Sequence, residues 1–293
     1  MESINELFHE TYNAQHGLTP YKAKLPPFTK EEIFNYTKAQ HEFLESQSQQ
    51  KQQQNKEIII FLIREVTEDI LKRYEAVAAN LHQQVYLITD TYYPHNTHGE
   101  LIILYFYENF CHIGGFFYLN TDTMPDKLVI TWDRCMFFLG NYSNICENAW
   151  ILEDDVAFHG GSTLSDFFAS KSKSNADFMA SPPLIDNSAD TFLWKTLTHS
   201  GLKLRWASYN PICRVSRRFV QTLANFAQEK KRLFFLEYLF MSLALENGLK
   251  TEFFYELQGH FRYSPPISFE ETLGAKVPIF HPVKDSELWN RIF

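Results

Sequence analysis

The run Glu57-Ile-Ile-Ile-Phe-Leu-Ile63 is continuously apolar after its first residue and rich in β-branched side chains. A strand that faced water on one side would alternate apolar with polar residues. This one does not, so it reads as a central strand buried on both faces, the pattern of a parallel sheet covered by helices. Val66 to Asn80 follows, with Ile70, Leu71, Tyr74, Val77 and Ala78 in helical register. Val85-Tyr-Leu-Ile-Thr-Asp90 is a second strand, ending in Thr89 and Asp90. Strand, helix and strand in succession make a βαβ unit, right-handed by default. In open α/β sheets ligands bind at the carboxyl ends of the strands, where Arg64 and Asp90 collect.

A third strand carries the chemistry. Asn148-Ala-Trp-Ile-Leu-Glu-Asp-Asp-Val-Ala-Phe158 has an apolar entry, three carboxylates in a row and an apolar exit. Two like charges about 4 Å apart repel by roughly 4 kcal/mol at an effective dielectric of 20. A divalent cation turns that cost into attraction, and hard oxygen ligands suit Mg²⁺ or Mn²⁺. Read as extended chain, the segment points Glu153 and Asp155 one way and Asp154 the other. The same triplet also reads as a solvated acidic turn after a strand.

The 293 residues suffice for one large domain or two small ones, and 45% apolar content supports a sizeable core. A formal charge of −8 argues against a nucleic-acid partner. Cys111, Cys135, Cys146 and Cys213 are widely spaced, which excludes a zinc-type pattern and a disulfide scaffold. Cys135 and Cys146 read as core. Neither GxGxxG nor a Walker A sequence occurs. No signal peptide and no transmembrane span are expected, so a cytoplasmic setting is expected (bacterial, viral or cytosolic).

Thr29-Lys-Glu-Glu32 is a capping box opening a helix that runs into the polar tract Gln47 to Gln54. Residues 1–56 are therefore expected to be a helical, low-complexity extension, an accessory segment or an arm for homo-oligomer formation. The catalytic domain is expected over 57–293. Leu101 to Phe106 is a strand or short helix, and Gly114-Gly115 breaks the run that follows. Helices are expected over Thr131–Glu147, Leu164–Ser170, Val215–Ala227 and Leu233–Leu245, with strands over Ala176–Ala180 and Thr251–Leu257. The stretch 184–205, holding Asp186, Asp190, Trp194 and His199, reads as an active-site loop with a short helix. Glu237, inside an almost wholly apolar helix, is either a paired structural acid or a functional one.

The ordered set of these motifs resembles the GT-A type glycosyltransferases over roughly residues 57–285. The helix Trp132-Asp-Arg-Cys-Met-Phe-Phe138 precedes Trp150-Ile-Leu-Glu-Asp-Asp-Val156, which looks like the DXD motif in a Glu-Asp-Asp form. Arg214-Val-Ser216, Phe235-Leu-Glu237 and Phe280-His-Pro-Val-Lys284 follow. The resemblance implies a Rossmann-like, mixed and mostly parallel sheet flanked by helices. It implies a nucleotide-sugar donor, UDP-linked by preference, held through Mn²⁺ or Mg²⁺, and a glycan or other hydroxyl acceptor. By the same resemblance Asp155 binds the metal, and Asp154 and Glu153 contact ribose, donor sugar or metal-bound water. His281 or His260 completes the metal shell, with His281 favoured, and Lys284 meets a phosphate. Thr89 and Asp90 face the nucleotide, and Arg64 lies near the base or diphosphate. Glu237 is the candidate general base if the reaction inverts the anomeric centre; otherwise Glu237 or Asp190 orients groups. The chain departs from the family in having Glu-Asp-Asp where Asp-x-Asp is usual. Two other readings stand beside this one: a non-catalytic nucleotide-sugar or glycan-binding module, and a metal-dependent nuclease or phosphohydrolase.

Overall fold

The computed structural model describes residues 29–51, 57–117, 129–184, 197, 199–273, 279–284 and 287–289. Two units divide the chain between His41 and Glu42. The first holds the start of the helix Lys30–Lys51 and its cap. Glu32 N–H donates to Thr29 Oγ1 at 3.2 Å, and Thr29 N–H donates back to Glu32 Oε2 at 2.7 Å. This is the capping box read from the sequence.

The second unit is built on a mixed sheet. In chain order its strands are β1 (Glu57–Ile63), β2 (Gln84–Thr89), β3 (Thr97–His98), β4 (Leu101–Leu104), β5 (Asn148–Glu153), β6 (Ala157–Phe158), β7 (Phe178–Ser181), β8 (Tyr209–Ser216), β9 (Thr251–Phe253) and β10 (Ile279–Phe280). Eight of them form one sheet in the order β3-β4-β2-β1-β5-β8-β7-β9, while β6 pairs antiparallel with β10. β1 is parallel to both β2 and β5, and β2 to β4. β8 runs antiparallel between β5 and β7. The fold is thus α/β, with a mostly parallel sheet flanked by helices.

Burial explains the continuous apolar runs. Ile59, Phe61 and Ile63 of β1 pack with Leu71, Tyr74 and Val77 of the helix Glu68–Ala78 and with Phe168 of the helix Gly160–Lys171. The alternate residues Ile58, Ile60 and Leu62 are buried as well, on the opposite face. There the helix Thr131–Asn141 packs, with Phe138 against Tyr86 at 5.4 Å between ring centroids. At the amino end of the sheet Arg214 Nε donates to Glu57 Oε1 at 2.9 Å, a buried pair. All four cysteines are free and buried.

Several element boundaries differ from the sequence reading. The helix expected from Val215 begins at Arg217, because Val215 and Ser216 complete β8 and Ser216 Oγ caps the helix by accepting from Phe219 N–H at 3.1 Å. The helix expected to reach Glu147 ends at Asn141. The strand expected to reach Leu257 ends at Phe253. Gly115 closes the helix Glu108–Gly114 with a φ of 78°, and an added Cβ would lie 2.3 Å from the Ala227 carbonyl oxygen. Only glycine fits that approach. No helix among the described residues is long and apolar enough to cross a membrane.

Candidate metal and acceptor site

The acidic triplet lies where β5 ends and the chain turns. Val156 N–H donates to the Glu153 carbonyl at 3.1 Å, so Asp154 and Asp155 occupy the middle of a tight turn. The chain then enters β6, whose partner β10 brings in the C-terminal segment with Phe280 opposite Ala157. One residue on, His281 reaches the turn. Val283 N–H donates to the Asp155 carbonyl at 2.8 Å and fixes the approach. His281 Nε2 then lies 3.0 Å from Asp155 Oδ1 and 3.4 Å from Glu153 Oε2. Glu153 and Asp155 do share a face, but a turn brings them together and not strand alternation. Asp154 contributes no atom to this cluster.

Each ligand-type side chain is held by a neighbour. Trp132 Nε1–H donates to Glu153 Oε1 at 2.8 Å. The Lys284 ammonium pairs with Asp155 Oδ2. His281 Nδ1 is 2.9 Å from the Tyr209 hydroxyl. One oxygen is left over: Asp155 Oδ1 is buried, and His281 Nε2 is off the line of an N–H···O bond to it. Glu153, Asp155 and His281 each offer an atom within 4.8 Å of the others. Two carboxylates, one imidazole and an unsatisfied buried oxygen fit a divalent cation that accepts mixed oxygen and nitrogen ligands.

The charges are strongly polarised. Burial lifts the Asp155 carboxyl, but the close approach of the His281 ring and the Lys284 ammonium outweighs it and holds the pKa down at about 2. Burial lowers His281, yet the nearby carboxylates of Asp155 and Glu153 more than reverse this and push it up to about 9. Asp154 goes the other way, to about 6, through burial and the adjacent Asp155 charge, with Arg64 partly offsetting.

Beside this cluster lies a second acid. Glu237 opens the helix Leu236–Glu246, is only 8% exposed, and has its pKa pushed up to about 8, chiefly by burial. The Tyr263 hydroxyl donates to Glu237 Oε2. The charges of Glu153 and His281 both reach Glu237. Tyr263 packs against Tyr209 at 4.5 Å between ring centroids, and it is 45% exposed. A buried carboxyl next to a half-exposed aromatic hydroxyl is suited to exchange a proton with an incoming hydroxyl group.

The remaining sequence candidates fall as follows. Thr89 is fully buried, its hydroxyl donating to the Arg64 carbonyl at 3.4 Å and accepting from Thr91 N–H at 3.1 Å, so it shapes the end of β2. Asp90 Oδ1 accepts from Arg134 Nη1 at 2.8 Å; that buried guanidinium also donates to the Phe106 carbonyl from Nε at 2.9 Å. Arg64 is exposed at the end of β1. His260 lies outside the ligand cluster; its carbonyl accepts from His281 N–H at 3.1 Å. Of the two histidines the structure therefore brings His281 to the carboxylates. Asp190 lies outside the described residues. Sequence reasoning missed Tyr209, Tyr263 and Arg134. Tyr209 opens the segment Tyr209-Asn-Pro-Ile-Cys-Arg-Val215, whose polar residues and proline mask its strand character.

No protein-family model and no curated protein matches the chain. Among solved structures it is similar to mouse xyloside xylosyltransferase 1 in its apo form, with a TM-score of 0.42 and 8% identity over 77% of this chain and 97% of that one. At that distance the chemistry has to be read from the residues of the site.

Proposed function

We propose that the chain is a metal-dependent glycosyltransferase of GT-A type, moving a sugar from a nucleotide-sugar donor, UDP-linked by preference, to a hydroxyl acceptor. The observation that carries this reading is the convergence of Glu153, Asp155 and His281 at the carboxyl edge of the sheet. Those three residues would hold Mn²⁺ or Mg²⁺. The bound cation would act as a Lewis acid on the departing diphosphate. Lys284, about half exposed and paired with Asp155, is placed to meet a phosphate. Arg64 offers a second positive charge near the acidic turn. Glu237 takes the proton from the acceptor hydroxyl, and Tyr263 orients it through their hydrogen bond. A base whose pKa lies near the working pH is the efficient choice for that task.

The test is UDP release from a panel of UDP-sugars with Mn²⁺, Mg²⁺ or EDTA, comparing wild type with Asp155→Asn. The expected result is metal-dependent release from one donor, lost in the variant while its fold is kept. Metal-dependent phosphate release from simple phosphoesters, with no dependence on a sugar nucleotide, would instead establish a phosphohydrolase.

A further inference from the structure

The structure assigns Tyr209 as the positioning residue that decides which ring nitrogen of His281 faces the carboxylates. The argument is one of proton counting. A tyrosine hydroxyl has one proton to give and lone pairs to receive with. Its neighbours are the Arg262 carbonyl oxygen at 2.9 Å and His281 Nδ1 at 2.9 Å. The carbonyl can only accept, so the tyrosine proton goes there. His281 Nδ1 must then be the donor to the Tyr209 oxygen. The reverse assignment would spend the tyrosine proton on Nδ1 and take its bond from the Arg262 carbonyl. With the proton kept on Nδ1, Nε2 is the nitrogen free to bind a cation between Asp155 and Glu153.

The surroundings make this geometry rigid. Tyr209 is 2% exposed and ringed by Phe261, Tyr263 and His281. The accepting carbonyl is fixed too. Arg262 N–H donates to the His281 carbonyl at 3.0 Å, and its guanidinium binds Glu271 and the carbonyls of Pro265 and Pro266. Tyr209 sits at the start of β8, beyond the last β5–β8 pair, Leu152 with Ile212, and so stands beside the acidic turn. Partners of this kind set the tautomer and basicity of a ligating histidine, and their loss typically costs 10–100-fold in metal affinity.

The inference rests on the proposed metal site, and the experiment separates the two. Mn²⁺ affinity is measured from the free-ion EPR signal for wild type, Tyr209→Phe, His281→Ala and the double variant, with Mg²⁺ measured by competition. The expected loss in Tyr209→Phe is about 10–100-fold for Mn²⁺. It should be smaller for Mg²⁺, which prefers oxygen ligands. In the His281→Ala background the tyrosine change should shift affinity less than about twofold, since two residues acting through one contact are not additive. An equal loss in both backgrounds, or none in either, overturns the positioning role. Wild type that takes up no Mn²⁺ overturns the metal site itself, and the inference with it. A second readout needs no substitution at Tyr209: in the Mg²⁺-loaded protein, long-range ¹⁵N spectra of His281, assigned with His281→Ala, should show the proton on Nδ1. A proton on Nε2 would refute the assignment.

Discussion

Replacing Glu237 with Gln should make the protein more stable at alkaline pH and, on the proposed function, abolish transfer. The carboxyl is buried and its pKa stands at about 8, against an ordinary value near 4.3 for glutamate. A group whose folded-state pKa is raised favours folding while protonated. That contribution is complete below about pH 4.3 and is lost as pH rises to about 8. Gln copies the neutral acid in shape and can still accept from the Tyr263 hydroxyl, but it never ionises. The variant should therefore gain on wild type as pH rises. At about 1.4 kcal/mol per unit of pKa difference, the gap is about 1 kcal/mol at pH 5 and about 5 kcal/mol at pH 8.5. The growth of about 4 kcal/mol is the quantity to measure, by urea denaturation at both pH values with EDTA present. A gap that stays constant between pH 5 and pH 8.5 would refute a buried, proton-holding Glu237. Transfer to acceptor should fall by about 10²-fold or more if Glu237 is the base. Gain of stability with loss of turnover in one substitution sets Glu237 apart from a structural acid.

Three further outcomes follow from the same geometry. Mn²⁺ at about 100 times its Kd should stabilise the wild type by about 2.7 kcal/mol in chemical denaturation and leave Asp155→Asn unmoved. Because His281 holds its proton up to about pH 9 while Asp155 loses its own near pH 2, Mn²⁺ affinity should rise about tenfold per pH unit between pH 7 and 9, measured by titration at fixed ionic strength. Arg134→Met removes the buried ion pair to Asp90 and should cost about 3–5 kcal/mol in urea denaturation, with the double variant carrying Asp90→Asn costing less than the sum of the two.

The legible parts of this chain are those whose burial is symmetric or strictly periodic. β1, β2 and β5 are covered on both faces, so each leaves an unbroken apolar run in the sequence. The helix Glu68–Ala78 buries one face and leaves a 3.6-residue stripe. β8 is as well buried as β5, yet Pro211 and Arg214 interrupt its pattern, and its antiparallel place between β5 and β7 is a tertiary fact. The preference for His281 over His260 rests on the resemblance of the late His-Pro-Val-Lys segment and on no local pattern, for a related reason. The choice itself is decided by the pairing of β6 with β10, each only two residues long and too short to carry a period. Arg134 occupies a helix position that a charge normally takes only at the surface. Its burial follows from the carbonyls of Phe106 and Val129 and the carboxylate of Asp90 converging on it, which no local pattern encodes.

The electrostatics of the carboxyl edge give this arrangement its direction. Adjacent Asp154 and Asp155 are driven apart, to about 6 and about 2, because one is buried against a like charge and the other faces an imidazole and an ammonium. Acids split in this way take different roles: the low one is ready to bind a cation, and the high one keeps its proton until about pH 6. Glu237 extends the series to about 8. In the proposed transfer, negative charge grows on the diphosphate beside Asp155 and a proton leaves the acceptor for Glu237. A cation held at Asp155 also lowers the cost of ionising Glu237, since its charge acts on every carboxylate of the edge. Loading the cation site should therefore bring the pKa of Glu237 down toward neutrality, so that a base inactive without metal becomes active with it. The activity profile would report this as a rising, acid-side limb that moves to lower pH as Mn²⁺ is raised. A limb fixed in position at all Mn²⁺ concentrations would separate the two sites and refute their coupling.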